Sequence, residues 1–125
     1  MQKMKKLPEA EFEVMKVAWS NNPPITTGLV MQKLGSRKGW LIQSIVTLMS
    51  RLVARGFLRS EKVGRDRLYY PLVEREDYLK FETGIFVQQY HENSFISLVN
   101  ALNDDNALSD KDIDELYEWI KERKG

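Results

Sequence analysis

The 125-residue chain has no cysteine and a single histidine. The first absence excludes disulfides, thiolate metal sites and a cysteine nucleophile. The second leaves His91 flanked by Tyr90 and Glu92, with no other histidine to complete a metal site. No serine stands in a nucleophile elbow. An enzyme is therefore not expected, nor is a cofactor or a metal. No apolar run nears the roughly 18 residues that span a bilayer, so membrane insertion is not expected. The opening MQKMKKLPEAEFEV carries lysines, Lys3 among them, but no apolar segment of a secretory signal. These absences are compatible with a cytoplasmic protein.

Net charge is also nearly absent, at +1, but the balance conceals an asymmetry. Residues 1–72 hold 13 basic and 5 acidic side chains, a net +8; residues 73–125 hold 6 basic and 13 acidic, a net −7. A basic half followed by an acidic half predicts that the first meets a polyanion and the second does not.

The basic half has the punctuation of a small helical domain. Pro8 suits a first helical position, and Glu9 and Glu11 suit the positive end of the helix dipole. A helix is expected from Pro8 to Ser20, with Phe12, Met15 and Trp19 on one face and a stop at Asn21-Asn22-Pro23-Pro24. Ile25 is a candidate for a short strand. Thr26 or Thr27 is placed to cap a short second helix carrying Val30 and Leu34. The segment Gly35-Ser36-Arg37-Lys38-Gly39 reads as a basic loop.

The third helix is the most informative. Ile45, Leu48, Met49 and Leu52 follow the i, i+3, i+4, i+7 spacing of a core stripe, with Leu41 on the same side. The opposite side holds Gln43, Ser44, Thr47, Ser50 and Arg51. That face has short donors and acceptors, one guanidinium and no acid, so it is compatible with base edges and phosphates.

Gly56 is placed to end this helix in the left-handed conformation. Two strands, Phe57 to Lys62 and Arg67 to Leu72, are expected around a Val63-Gly64-Arg65-Asp66 turn, with Leu68, Tyr70 and Leu72 inward and Arg67 and Tyr69 outward. Lys62, Arg65 and Arg67 cluster at the tip. Three helices and a basic hairpin give the order of a winged helix-turn-helix, whose third helix enters the major groove while the hairpin follows the phosphates. The expected DNA-binding residues are Thr26, Thr27, Arg37, Lys38, Gln43, Ser44, Thr47, Arg51, Lys62, Arg65 and Arg67. The expected fold is mainly α with a small β-hairpin: a winged-helix domain over residues 1–72 and a helical dimerisation region over residues 73–125.

The acidic half reads as three helices broken near His91-Glu92-Asn93 and Asn103-Asp104-Asp105-Asn106. Ser109-Asp110-Lys111-Asp112 resembles a capping box with Asp in place of Glu. Ile113, Leu116, Tyr117 and Ile120 repeat the helical stripe. About 50 residues supply too little core for so many apolar groups, so a second copy is expected to cover them. The expected interface comprises Tyr78, Phe86, Phe95, Leu98, Val99, Leu102, Ile113, Leu116, Tyr117 and Ile120. An alternative is a winged-helix regulator that senses a small molecule through Phe81, Phe86 and Trp119.

The segments LPEAEFEVMKVAW, GWLIQSIVTLMSRLVARGFL and GRDRLYYPLV, with the tail SFISLVNALNDDNALSDKDIDELYEWI, resemble the penicillinase-repressor family over nearly the whole chain. The DNA-binding half also resembles the family's copper-responsive branch. The resemblance implies a homodimeric repressor on a palindromic operator, often with TACA/TGTA half-sites, and induction through a membrane-bound sensor protease. It places recognition contacts on Gln43, Ser44, Thr47 and Arg51 and wing contacts around Arg65 to Arg67. The usual Ser-Pro-Lys-Thr opening of the recognition helix stands here as Leu41-Ile42-Gln43-Ser44. The scissile Asn-Phe of β-lactam-responsive members aligns with Ala101-Leu102. The paired Cys-x-Cys motifs of the copper branch have no counterpart in a chain without cysteine.

Overall fold

The computed structural model describes residues 4–125, so Lys3 lies outside the described residues. The chain divides into two compact units, the first ending at Lys80 and the second running from Phe81 to Gly125. The first thus extends beyond the expected boundary at residue 72.

In the first unit, α1 (Glu9–Ser20) opens after Pro8, which has extended backbone and is the N-cap rather than the first helical residue. Its Val14, Met15, Val17 and Ala18 are buried. Thr26 caps α2 (Thr27–Val30), its Oγ1 accepting from the Leu29 N–H at 3.1 Å. The chain then continues through a π-helical turn (Met31–Gly35) into α3 (Ser36–Lys38). The expected basic loop is therefore mostly helical, with Gly39 in the left-handed conformation ending it. The wider π turn carries the helix past Gly35, and the Gly35 carbonyl accepts from the Trp40 N–H at 2.9 Å.

The next helix, α4 (Ile42–Ala54), buries Ile45, Leu48, Met49 and Leu52 as the periodicity requires. Aliphatic side chains of this size each gain about 1.5–3 kcal/mol by leaving water. Leu41 departs from that stripe. It is the N-cap, in extended conformation, and its side chain is 72% exposed. A residue outside the helical spiral does not follow the helical wheel that assigned it inward.

At its other end α4 closes with a complete Schellman arrangement. The Gly56 N–H donates to the Val53 carbonyl at 3.0 Å and the Phe57 N–H to the Leu52 carbonyl at 2.9 Å. Gly56 has φ 83°, which disfavours a side chain, and Leu52 and Phe57 are both buried. β1 (Leu58–Val63) and β2 (Asp66–Pro71) pair antiparallel, each one residue from its expected position. Gly64, with φ 63°, opens the two-residue Gly64-Arg65 turn. Ile25 adds an isolated bridge to Tyr69, with both backbone hydrogen bonds at 2.9 Å.

The hairpin's facing is the reverse of the expected one. Tyr69 is buried, Leu68 and Tyr70 are half-buried, and Leu72 is exposed. Three consecutive apolar residues, Leu68-Tyr69-Tyr70, make the alternation ambiguous; the bridge to Ile25 and the shared face with buried Leu58 settle it. Tyr70 instead carries the Arg59 guanidinium 4.0 Å from its ring centroid.

The start of α5 (Arg75–His91) completes this unit. Tyr78 is fully buried, and its hydroxyl accepts from the Leu7 N–H at 2.7 Å. Phe12, Trp19 and Phe57 surround its ring at centroid distances of 5.4–5.8 Å. Trp19 Nε1 donates to the Val73 carbonyl at 2.9 Å. The expected place of Tyr78 at a dimer interface is therefore corrected: its own chain encloses it.

The second unit holds the remainder of α5, then α6 (Phe95–Asp104) and α7 (Asp110–Lys124). The breaks fall where expected, with Glu92, Asn93 and Asn106 at positive φ. Ser109 and Asp112 form the reciprocal capping box, both bonds 3.0 Å. The shorter Asp side chain thus reaches the N-cap N–H. Neither α6 nor α7 has a fully buried residue. No helix among the described residues is long and apolar enough to cross a membrane.

Candidate nucleic-acid interface

Packing of α4 on one side leaves Gln43, Ser44, Thr47, Ser50 and Arg51 exposed on the other. Thr47 Oγ1 donates to the Gln43 carbonyl one turn back, at 3.1 Å. Its hydroxyl proton is thereby engaged, while the residue itself remains exposed. A groove of about 330 Å³ runs beside this face, lined by Ala10, Trp40, Ser44, Thr47, Leu48 and Arg51. Among the described residues no acidic side chain lines it, so the Arg51 guanidinium borders the groove without an acid in its lining.

The wing sorts its charges by face. Pairing places Leu58 with Pro71, Ser60 with Tyr69 and Lys62 with Arg67. Alternate pairs share a face, so the face that begins at the core ends in two cations. Like charges directly opposite each other destabilise a ladder. Arg67 Nη1 donates to Ser60 Oγ at 3.0 Å, which orients it without neutralising it. Glu61 and Asp66 lie on the other face, where Glu61 is 3.6 Å from Arg59. Arg65 is exposed in the turn.

Glu11, Glu13 and Glu61 of the first unit are paired with basic side chains. Glu13 accepts an ion pair from Lys16 at 2.9 Å and lies 3.9 Å from Arg37. The Lys16 hydrogen bond, with the nearby charges of Lys16, Lys38 and Arg37, outweighs desolvation and holds its carboxyl below the usual range. Arg37 and Lys38 are exposed but share this acidic neighbour, unlike the wing cations. Thr26 is engaged in capping, and it and Thr27 are half-exposed at the start of α2.

The sequence reading missed the pairing of Glu11 with Arg55. Glu11 is 1% exposed and its Oε1 accepts from Arg55 Nε at 2.6 Å, which ties α1 to the end of α4. The signal was available: Glu11 precedes Val14, Met15 and Ala18 at i+3, i+4 and i+7, all buried. An acid on a core stripe requires a partner.

In the second unit Phe86, Phe95, Leu102, Ile113, Tyr117 and Ile120 are exposed, and Leu98, Val99 and Leu116 are half-buried. Ala101 and Leu102 lie within α6, both exposed. No group of three or more potential metal ligands occurs among the described residues.

A helix with a polar, acid-free exposed face followed by a two-cation wing defines the winged helix-turn-helix class. Comparison with known proteins narrows this. The penicillinase-repressor family matches residues 7–122. The penicillinase repressor of Bacillus licheniformis is 32% identical over 124 residues, 99% of this chain and 96% of that protein. The methicillin resistance regulatory protein MecI of Staphylococcus aureus strain N315 is 30% identical over 115 residues, 91% of this chain and 92% of that protein. The solution structure of the DNA-binding domain of the repressor BlaI aligns with a TM-score of 0.55 at 36% identity, covering 62% of this chain and 94% of that one. The Bacillus licheniformis BlaI monomer in complex with the blaP half-operator aligns with a TM-score of 0.52 at 36% identity, with the same coverage. The chain belongs to the penicillinase-repressor family.

Proposed function

We propose that this repressor acts as a homodimer on a palindromic DNA operator, each winged helix taking one half-site, and thereby controls an inducible resistance or stress operon in the cytoplasm. The observation that carries the reading is the exposed polar face of α4, free of acid, in one unit with the Lys62–Arg67 pair. Gln43 makes a bidentate pair with adenine; Ser44, Thr47 and Arg51 meet neighbouring edges or phosphates. Arg65, Lys62 and Arg67 hold the backbone beside them. The half-operator bound by the BlaI monomer supports a division of one half-site per chain. The exposed stripes of α6 and α7 support pairing through the second unit.

The test is binding of fluorescently labelled duplexes, enriched from a random pool, over a salt series. Affinity falls steeply with salt, and Arg67→Ala lowers the slope by about 1 while weakening all sequences alike. Gln43→Ala instead costs about 1–3 kcal/mol at particular base pairs. Binding that ignores salt rejects the proposal.

A further inference from the structure

We infer that Leu41 and Ile42 are specificity-determining residues that read the 5-methyl group of thymine from the leading end of the recognition helix. The inference rests on the DNA-reading function proposed above and deepens it. Leu41 is 72% exposed and Ile42 46%, whereas Ile45, the next apolar residue along α4, is fully buried. The pair is adjacent in the chain to Gln43 and Ser44, which are exposed and polar.

Stability does not explain this placement. Leu41 occupies the N-cap, where Ser, Thr, Asp and Asn are favoured because their side chains satisfy a free N–H. Leu41 provides no such side-chain bond. Its carbonyl accepts from the Ser44 and Ile45 N–H groups at 3.0 and 3.3 Å, which any residue would do. The site thus forgoes a cap and exposes a large aliphatic group beside it.

The position selects the occupant. The first residues of a recognition helix are those that reach base edges in the major groove. Leucine and isoleucine neither donate nor accept, so they serve neither phosphates nor the hydrogen-bonding edges of bases. The apolar group that the four bases present in that groove is the thymine methyl. Gln43 next to them reads adenine by its paired N6 and N7 groups, so the helix end combines polar and apolar readers in successive positions.

The test uses the full-length protein and the duplexes it enriches from a random pool. Each thymine is replaced in turn by deoxyuridine, which removes the methyl group and leaves base pairing unchanged. The wild-type chain loses about three- to tenfold in affinity at one or two positions of each half-site, the effect of one buried methyl and its contacts. The Leu41→Ser/Ile42→Ser double variant binds the thymine and uracil duplexes equally, with an unchanged salt slope because no charge is removed. Ile42→Val, which retains a branched aliphatic group, keeps discrimination. Tight, salt-dependent wild-type binding that ignores every methyl overturns this inference and leaves the DNA-binding function standing. A double variant that keeps the wild-type discrimination, or changes only self-association, also overturns it. Failure to enrich any duplex rejects the DNA-binding function itself, and the inference with it.

Discussion

The first unit encloses most of its large apolar side chains, Leu41, Ile42, Val63 and Leu72 excepted, and the second displays them. Val14, Met15, Ile25, Ile45, Met49 and Tyr78 are all fully buried in the first. In the second, Phe86, Tyr90, Phe95, Ile96, Ile113, Tyr117 and Trp119 are each between 45% and 66% exposed. Both contain amphipathic helices with similar spacing. The difference is that the first has α1, α2, α4, a hairpin and the start of α5 converging on one core, while the second has little else to bury its stripes against. The same periodicity therefore produces a self-contained core in one place and an unfilled surface in the other.

The sharpest way to break this contrast is Ile113→Asp, which places a charge in the exposed stripe of α7. It is expected to convert a dimer to a monomer in sedimentation and to reduce affinity for two-half-site duplexes by about 100-fold or more, as bivalent binding is lost. The first unit's melting transition is expected to be unchanged. A variant that remains dimeric removes α7 from the interface.

Arg55→Ala probes the opposite region. It leaves the Glu11 carboxylate buried without its 2.6 Å partner and is expected to cost about 3–5 kcal/mol in denaturant unfolding. A cost below about 1 kcal/mol would class the pair with surface ion pairs.

Tyr78→Phe sharpens the assignment of α5's first turns. Loss of the hydroxyl that accepts from Leu7 is expected to cost about 1–3 kcal/mol of stability, because a buried N–H is left unpaired. The monomer–dimer constant should not move, and a variant that dissociates instead would return Tyr78 to the interface.

The smallest effect is a pH effect at the α7 cap. Bonds from the Ser109 backbone and side chain hold the Asp112 carboxyl below its ordinary value of 3.8. The depressed folded value means that this contribution is present above pH 3.8 and is lost as pH falls through the folded value. Helical circular dichroism of Asp112→Asn should lack that acid-dependent component, and an identical acid profile would remove the cap from the account.

Much of the fold was legible because local chemistry and tertiary packing agree. Gly56 is needed where a helix must reverse, and Ile45, Leu48, Met49 and Leu52 leave little choice of inward face. The exposed positions Gln43, Ser44, Thr47, Ser50 and Arg51 followed from the same wheel, since one buried face defines the other. Where the signals conflicted, the sequence reading failed for identifiable reasons. Leu68-Tyr69-Tyr70 offers an apolar residue to either side of a strand, and Leu41 belongs to no helical turn. Gly35 reads as a breaker, yet a π turn accommodates it.

The sequence by itself determined the order of helices and hairpin, the basic-then-acidic division and the polar face of α4, because each depends on residue type and spacing along the chain. Only tertiary structure decided the rest. It inverted the hairpin through the Ile25–Tyr69 bridge and enclosed Tyr78 through Leu7, Phe12, Trp19 and Phe57. It also joined Glu11 to Arg55 across 44 positions of sequence. The physical reason is common to all three. Each depends on which distant group satisfies a buried hydrogen bond or fills a cavity, and local periodicity carries no record of that partner.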